Sequence, residues 1–290
     1  MSFEAGTTTL ETSMRYQGFF INLAESVSRR ENVERQLAQL QLGHRYRRFE
    51  AIRGDRAAEQ PQTTLSPGQL GCWLSHLALW RAAGQSTGHL HILEDDVRLT
   101  PLLIQILDQL ELDESSWDLL FTDVYFHPPP TPEQFIQLCQ AREAFLEKRK
   151  IALIDLRRLS FTGTTSYLVN RRSLARLESL LAEGWRQNQT IDVAIQALVR
   201  RGDLRARLVF PFLSTLSPEH ELSTAGMQGP ATRALDTFRQ AWFYEADLAA
   251  VQQRLGACRC QPETGPLLEL YLHVLRQVLG TVHSEANRPS

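Results

Sequence analysis

The sequence predicts an α/β protein with a parallel core, and three observations carry that prediction. Phe19 to Leu23 (FFINL) is a short apolar run that suits a buried strand. Arg29 to Leu42 follows, with Val33, Leu37 and Leu40 at helical spacing, and Arg45 to Ile52 then reads as a second strand. A third strand, His89 to Leu93 (HLHIL), comes after a second helical stretch. Strands alternating with helices are the pattern of a sheet built from crossover units.

The helix before HLHIL has the clearest start in the chain. Ser66 can cap, Pro67 suits the first turn, and Gln69 completes a capping box. Leu70, Trp73, Leu74, Leu77 and Trp80 form its buried face, and Gly71 permits close packing of that helix. Pro101 opens a helix through about Leu110, and Trp117 to Phe121 is strand-like. Residues 127–150 hold a triple proline and a charged helix ending in EKRK, read as a lid or insertion. IALIDL and Thr165 to Val169 (TSYLV) resume strand character. Asn170 can cap the helix carrying Leu174, Leu177 and Leu180. Ile191 to Val199 is another helix, and Ala206 to Phe212 a late strand. Beyond about Ala231 the strand signals stop. Leu235, Phe238, Trp242 and Leu248 fit one helix, ended by Gly256, and Leu267 to Val278 another. The expected organisation is a flexible leader (1–17), an α/β domain (18–230) and a helical C-terminal segment (231–290).

Composition narrows the function. The 290 residues carry 31 basic and 33 acidic side chains, a net charge of -2, which argues against a nucleic-acid partner. Hydrophobic residues at 43% and charged residues at 22% describe a folded chain rather than a disordered one. No apolar run reaches the roughly 18 residues that span a bilayer. The first fifteen residues show no apolar stretch of a secretory signal, so the cytoplasm is the expected compartment. Cys72, Cys139, Cys258 and Cys260 are then expected as thiols. Cys258-Arg-Cys260, with His273 or His283, is a weak zinc pattern because it lacks a second pair. The C-terminal helices are amphipathic and suit packing, and leave room for peripheral association with an inner membrane.

The strongest chemical signal is Glu94-Asp95-Asp96 at the end of an apolar strand. Three adjacent carboxylates repel and resist burial, so a cation is a natural partner. Oxygen-only ligands suit Mg²⁺ or Mn²⁺. The plain alternative is a solvated strand end that caps the next helix. His76, with Ser75 beside it, lies on the amphipathic helix; by its type alone such a histidine is a core or supporting residue.

FFINLAESVSRRENVERQL, RRFEAIRGD, LSPGQLGCWLSHLALW, HILEDDVRL and GTTSYLVNRRSLARL, in this order, resemble glycosyltransferase family 25, the lipooligosaccharide-type galactosyltransferases related to collagen galactosyltransferases. The resemblance covers roughly residues 18–220. It implies a GT-A fold, a UDP-linked sugar donor such as UDP-galactose, and inverting transfer to a hydroxyl of a glycan, lipid-linked or peptide acceptor. It also implies roles. The acidic triplet resembles a DxD motif, with Asp96 as metal ligand, Glu94 toward the donor ribose or sugar, and Asp95 assisting. Asn22 and Arg30 fall where the nucleotide is received, and Ser75 and His76 join that donor site. Arg53 stands where the family often has an acid. Thr164 and Thr165 correspond to the stretch beside the acceptor. Asp192 matches the expected base, with Asp123 and Asp155 as rivals. GT-A enzymes often supply a late His or Asp as a further metal ligand; His220 stands at a plausible place for it outside any matching motif, and water is the alternative that completes the shell. Two other readings compete: a non-catalytic nucleotide-sugar or carbohydrate-binding protein, and a metal-dependent phosphatase or nuclease. The latter leaves GCWLSH unexplained.

Overall fold

The computed structural model describes residues 16–84, 88–109, 112–217, 230–257, 270–271 and 273–274. The expected α/β class holds as a mixed seven-stranded sheet flanked by helices. Its strands are β1 (Tyr16–Asn22), β2 (Tyr46–Glu50), β3 (His89–Glu94), β5 (Leu119–Phe121), β6 (Ala152–Asp155), β7 (Ser166–Val169) and β8 (Ala206–Phe210), in the order β2-β1-β3-β7-β5-β8-β6. A two-stranded ribbon pairs β4 (Val97–Arg98) with β9 (Thr215–Leu216). Tyr16 and Gln17, expected as leader, already belong to β1, which buries Tyr16; the rest of that leader lies outside the described residues.

β1 runs parallel to both β2 and β3, whereas β7 is antiparallel to β3 and β5. From β1 the chain goes out to β2 and returns to β3 on the other side. That reversal opens a crevice beyond the carboxyl ends of β1 and β3, where ligands bind in open α/β sheets. β3 is buried along its length up to Glu94. A strand covered on both faces reads as a continuous apolar run, which is why HLHIL was legible. Besides His89 at its start, its buried polar exception is His91. Tyr46 Oη and Ser166 Oγ lie 2.6 and 3.1 Å from its two ring nitrogens, and burial pushes its pKa down to about 3.

Two cores sandwich the sheet. On one face, α1 (Val27–Gln39) and α3 (Pro101–Gln109) contribute Val33, Leu37, Leu103 and Leu107. On the other, α2 (Pro67–Ala82), α5 (Leu174–Leu181) and α6 (Ile191–Arg201) contribute Leu70, Trp73, Trp80, Leu177 and Ile195. Burying a side chain of this size is worth about 1.5–3 kcal/mol. The expected capping box is present: Ser66 Oγ accepts from the Gln69 amide, and Gln69 Oε1 accepts from the Ser66 amide. Asn170 caps the short turn Arg171–Ser173 that leads into α5, accepting from the Arg172 amide at 3.1 Å, rather than α5 itself, whose own cap position, Ser173, makes no side-chain cap bond.

Two expectations are corrected. The 127–150 stretch is packed down rather than lying over the fold as a lid. Its helix α4 (Pro132–Lys148) buries Phe135, Leu138 and Phe145, and Arg142 donates to the Ala241 carbonyl. The single helix through Leu235 and Leu248 is in fact two, α7 (Pro230–Ala241) and α8 (Leu248–Ala257). Phe212 donates to the Trp242 carbonyl and accepts from the Tyr244 amide, both at 3.0 Å, which pulls the chain out of helical pairing. Asp247 then caps a new start, accepting from Ala250 at 2.9 Å. α7 enters the same core as α2 through Ala234 and Phe238. Among the described residues, no helix is long and apolar enough to cross a membrane.

Candidate functional site

A cleft of about 320 Å³ opens at the carboxyl ends of β1 and β3. The end of β1 supplies Asn22, the turn after β2 supplies Ile52 to Asp55, α2 supplies Cys72, Ser75 and His76, and β3 delivers Glu94, Asp95 and Asp96. One wall depends on glycine. A Cβ on Gly71 would lie 2.5 Å from the Ile52 carbonyl oxygen, and one on Gly54 2.0 Å from the Pro67 oxygen. Only bare backbone lets α2 press this close to the turn after β2. Ser75 rivets the same contact, donating to the Gly71 carbonyl at 2.6 Å and accepting from the Ile52 amide at 2.8 Å.

The three acids have different partners. Asn22 Nδ2 donates to Asp95 Oδ2 at 2.7 Å, and Arg48 steadies Asn22 Oδ1 at 3.0 Å. Arg29 spans one oxygen of each aspartate, at 2.9 Å from Asp95 Oδ1 and 2.6 Å from Asp96 Oδ2. Asp96 Oδ1 is buried without a partner. Burial, with Glu94 beside it, raises the Asp96 pKa to about 7 against the pull of Arg29. Burial also raises Asp95, against Arg29 and Asn22. Glu94 goes the other way: burial would raise it, but His76, Thr164 and Arg29 hold it below the usual range. The Asp96 carbonyl accepts from the Ser217 amide at 2.6 Å, so the β4–β9 ribbon pins the turn.

Glu94 is held from two sides. Thr164 Oγ1 donates to its Oε1 at 2.5 Å, and the Glu94 amide donates to the Thr165 carbonyl at 2.8 Å. His76 Nε2 lies 3.6 Å from the same Oε1 and is buried with no hydrogen-bond partner. His76 Nδ1 meets Tyr167 Oη at 2.8 Å, and Trp80 Nε1 donates to that oxygen at 3.2 Å. Cys72, His76 and Glu94 bring their ligand atoms within 4.8 Å of one another.

Asn22, Ser75, His76, Glu94, Asp95 and Asp96 thus line one cleft. Thr164, Thr165 and Asp192 stand just behind that lining. Asp192 Oδ2 accepts from the Gly163 amide at 2.8 Å, its Oδ1 accepts from the Val193 amide at 3.0 Å, and Thr164 follows directly to reach Glu94. Gly163 has φ +95°, a conformation that suits glycine in this turn. Arg29, rather than Arg30, is the α1 arginine that lines the cleft; consecutive helical residues point about 100° apart, so only one of the pair can face the acids. Arg53 also lines the cleft, paired with Asp55 at 2.7 Å and with Glu25. His220, Cys258 and Cys260 lie outside the described residues. Asp123 is fully buried and ion-paired with Arg239, and Asp155 caps a short turn by accepting from Arg157 at 2.9 Å. Neither rival faces the cleft. Cys72 escaped the sequence reading as a ligand; its signal was the spacing of four residues to His76, which puts both on one helix face.

Comparison with known proteins gives two findings. Residues 16–194 match the family described as glycosyltransferase family 25 (LPS biosynthesis protein). The chain is also 27% identical over 125 residues to procollagen galactosyltransferase 1-B of Xenopus laevis, a match spanning 36% of this chain and 20% of the relative. The chain therefore corresponds to about a fifth of that protein's length. The matched stretch runs from β1 into the first turn of α6 and includes every cleft residue named above, and on that footing the chain belongs to glycosyltransferase family 25.

Proposed function

We propose that this protein transfers a sugar from a UDP-sugar donor to an acceptor hydroxyl, with inversion at the anomeric carbon. Galactose is the first sugar to test, since the relative is by name a galactosyltransferase. The observation that carries the reading is the cleft itself: a crevice at a sheet reversal, walled by a helix packed on bare glycine backbone and floored by three carboxylates. A glycan, lipid-linked or peptide hydroxyl is the expected acceptor. If the acceptor is lipid-linked, the protein works beside a membrane surface.

The acidic turn fits Mn²⁺ or Mg²⁺. Asp95 and Asp96 offer only oxygens, and Asp96 Oδ1 is buried and unpartnered. His220 is the proposed late ligand. When bound, such an ion supplies positive charge against the departing diphosphate. The chain's own residues do the rest. Asn22 holds Asp95 in place, and Arg29 balances the acids until a ligand arrives. Glu94, fixed by Thr164, accepts a hydrogen bond from a donor hydroxyl. Arg30 is close enough in sequence to serve a phosphate from the rim. Thr164 and Thr165 border the acceptor, and Asp192 takes the proton from the attacking hydroxyl.

The test is a panel of sugar nucleotides assayed for hydrolysis and transfer, with and without divalent metal. Turnover of a UDP-sugar supports the reading. Tight UDP-sugar binding with no turnover on any acceptor would leave the non-catalytic binding protein. Phosphate release from simple phosphate esters would favour the phosphatase.

A further inference from the structure

We propose that Cys72, His76 and Glu94 form a second cation site on the inner wall of the cleft, selective for a borderline-soft divalent ion of the zinc class. It is distinct from the oxygen-only turn of Asp95 and Asp96. Cys72 and His76 sit one turn apart on α2 and face the same way, and Glu94 comes to them from the end of β3. Sulfur, nitrogen and oxygen on one ion are the ligand set of zinc rather than of magnesium or manganese.

The geometry is close to what one tetrahedral ion needs. Two ligands about 2.0–2.1 Å from zinc sit roughly 3.4 Å apart. His76 Nε2 and Glu94 Oε1 are already 3.6 Å apart, and all three ligand atoms lie within 4.8 Å. An ion shared by all three needs the Cys72 sulfur at about 2.3 Å from it. His76 is 1% exposed, and its Nε2 is an unpartnered polar atom aimed into the group. Its Nδ1 lies 2.8 Å from Tyr167 Oη, which also accepts from the Trp80 N–H; in the tautomer with the proton on Nδ1, Nε2 keeps its lone pair for an ion. Ligating histidines are oriented in this way through their second nitrogen. Cys72, His76 and Glu94 all line the cleft, so an ion has a path from solvent and a fourth position for water.

Binding is an exchange: the Cys72 thiol gives up its proton as sulfur joins the ion, and that proton leaves to solvent. Glu94 is then committed to the ion. If the proposed donor role of Glu94 is right, occupancy inhibits transfer; the site itself does not depend on that role.

The experiment is titration of the metal-free full chain with Co²⁺ alone, followed by displacement with Zn²⁺. The expected result is a near-ultraviolet thiolate-to-cobalt charge-transfer band that Zn²⁺ abolishes. Cys72→Ser should lose the band and weaken Zn²⁺ binding about 100-fold or more, because even an outer partner of a ligand is worth 10–100-fold. Asp96→Asn should keep the band. Cobalt binding without the band, or a band that survives in Cys72→Ser and so belongs to another cysteine, overturns the proposal. If Cys72→Ser fails to fold, the wild-type chain is alkylated with and without Zn²⁺ and the modified cysteines are mapped by peptide mass. Selective protection of Cys72 supports the site, and equal alkylation overturns it. None of these readouts uses a sugar nucleotide, so a failed transferase assay and a failed zinc site are separate outcomes.

Discussion

Asp123 and Arg239 form an ion pair in which the aspartate side chain is fully buried and the arginine side chain is 1% exposed. The two residues are 116 positions apart, one just after β5 and the other on α7. The Arg239 guanidinium also lies 4.4 Å from the centre of the Tyr125 ring. The C-terminal segment therefore reaches into the α/β domain through a buried ion pair, beside the bond that Tyr125 Oη donates to Asp236 at 2.6 Å.

Removing one member of a buried pair strands the other charge, at a cost of about 3–5 kcal/mol. Arg239→Met should destabilise the chain by that amount in chemical denaturation. Adding Asp123→Leu should recover much of the loss, because no charge is then left buried. A loss under 1 kcal/mol for Arg239→Met would mean water reaches Asp123. The same logic bears on truncation. A chain ending at residue 230 keeps every family-matched residue but loses the partner of Asp123, so reduced stability there would not imply that the C-terminal helices do chemistry.

His91 sets an acid limb. In the fold, burial holds its pKa down at about 3, while an unfolded histidine titrates near 6.5. Between those values the unfolded chain binds the extra proton. Stability is therefore full above about pH 6.5 and falls as pH drops below it, by up to about 1.4 kcal/mol per unit. His91→Gln can still bond Tyr46 and Ser166 but cannot titrate. Denaturation midpoints of both proteins from pH 5 to 7 should show a shallower slope in the variant. Parallel slopes would show that His91 titrates in the fold much as it does in the unfolded chain.

The sequence was most readable where local rules govern the structure. The capping box at Ser66, the turn cap at Asn170 and the buried run of β3 each follow from a few adjacent residues. It was least readable where distant segments decide. Nothing near Leu235 announces that Phe212 will draw off Trp242 and Tyr244 and split the helix. Nothing near Arg29 tells it from Arg30 until α1 is docked against the acidic turn. Cys72 reads as packing until Glu94 arrives from β3.

The metal proposal makes a direct demand on Asp96. Its Oδ1 has no partner, and its Oδ2 is held by Arg29. Asp96→Asn preserves size and one acceptor oxygen but removes the charge. Metal-assisted UDP-sugar binding, measured calorimetrically with and without Mn²⁺, should be lost in the variant. EDTA should do the same to the wild type, with Mn²⁺ or Mg²⁺ restoring it. Turnover unchanged in EDTA would remove the metal role and leave Arg29 as the cation of that turn.

The proposed base is the most exacting prediction. An inverting transfer requires a proton acceptor on the face opposite the departing diphosphate, within reach of the acceptor hydroxyl. Asp192 lies in the first turn of α6, where the helix dipole favours a carboxylate whatever its function. One oxygen accepts from the Gly163 amide and the other from the Val193 amide. Each oxygen has a second lone pair to offer a substrate. The Gly163 contact also ties Asp192 to the turn whose next residue, Thr164, fixes Glu94. Two roles are thus separable. Asp192→Asn keeps an oxygen for Gly163 and so keeps the turn, but it cannot take a proton. The variant should fold, bind UDP and Mn²⁺ nearly as wild type, and lose transfer by about 10²-fold or more. Asp192→Ala should lose the turn contact as well and weaken UDP-sugar binding through Glu94. Transfer by Asp192→Asn within a few-fold of wild type would assign the aspartate to holding the turn, and the search for the base would move to the acceptor side of the cleft, since Asp123 is sealed against Arg239.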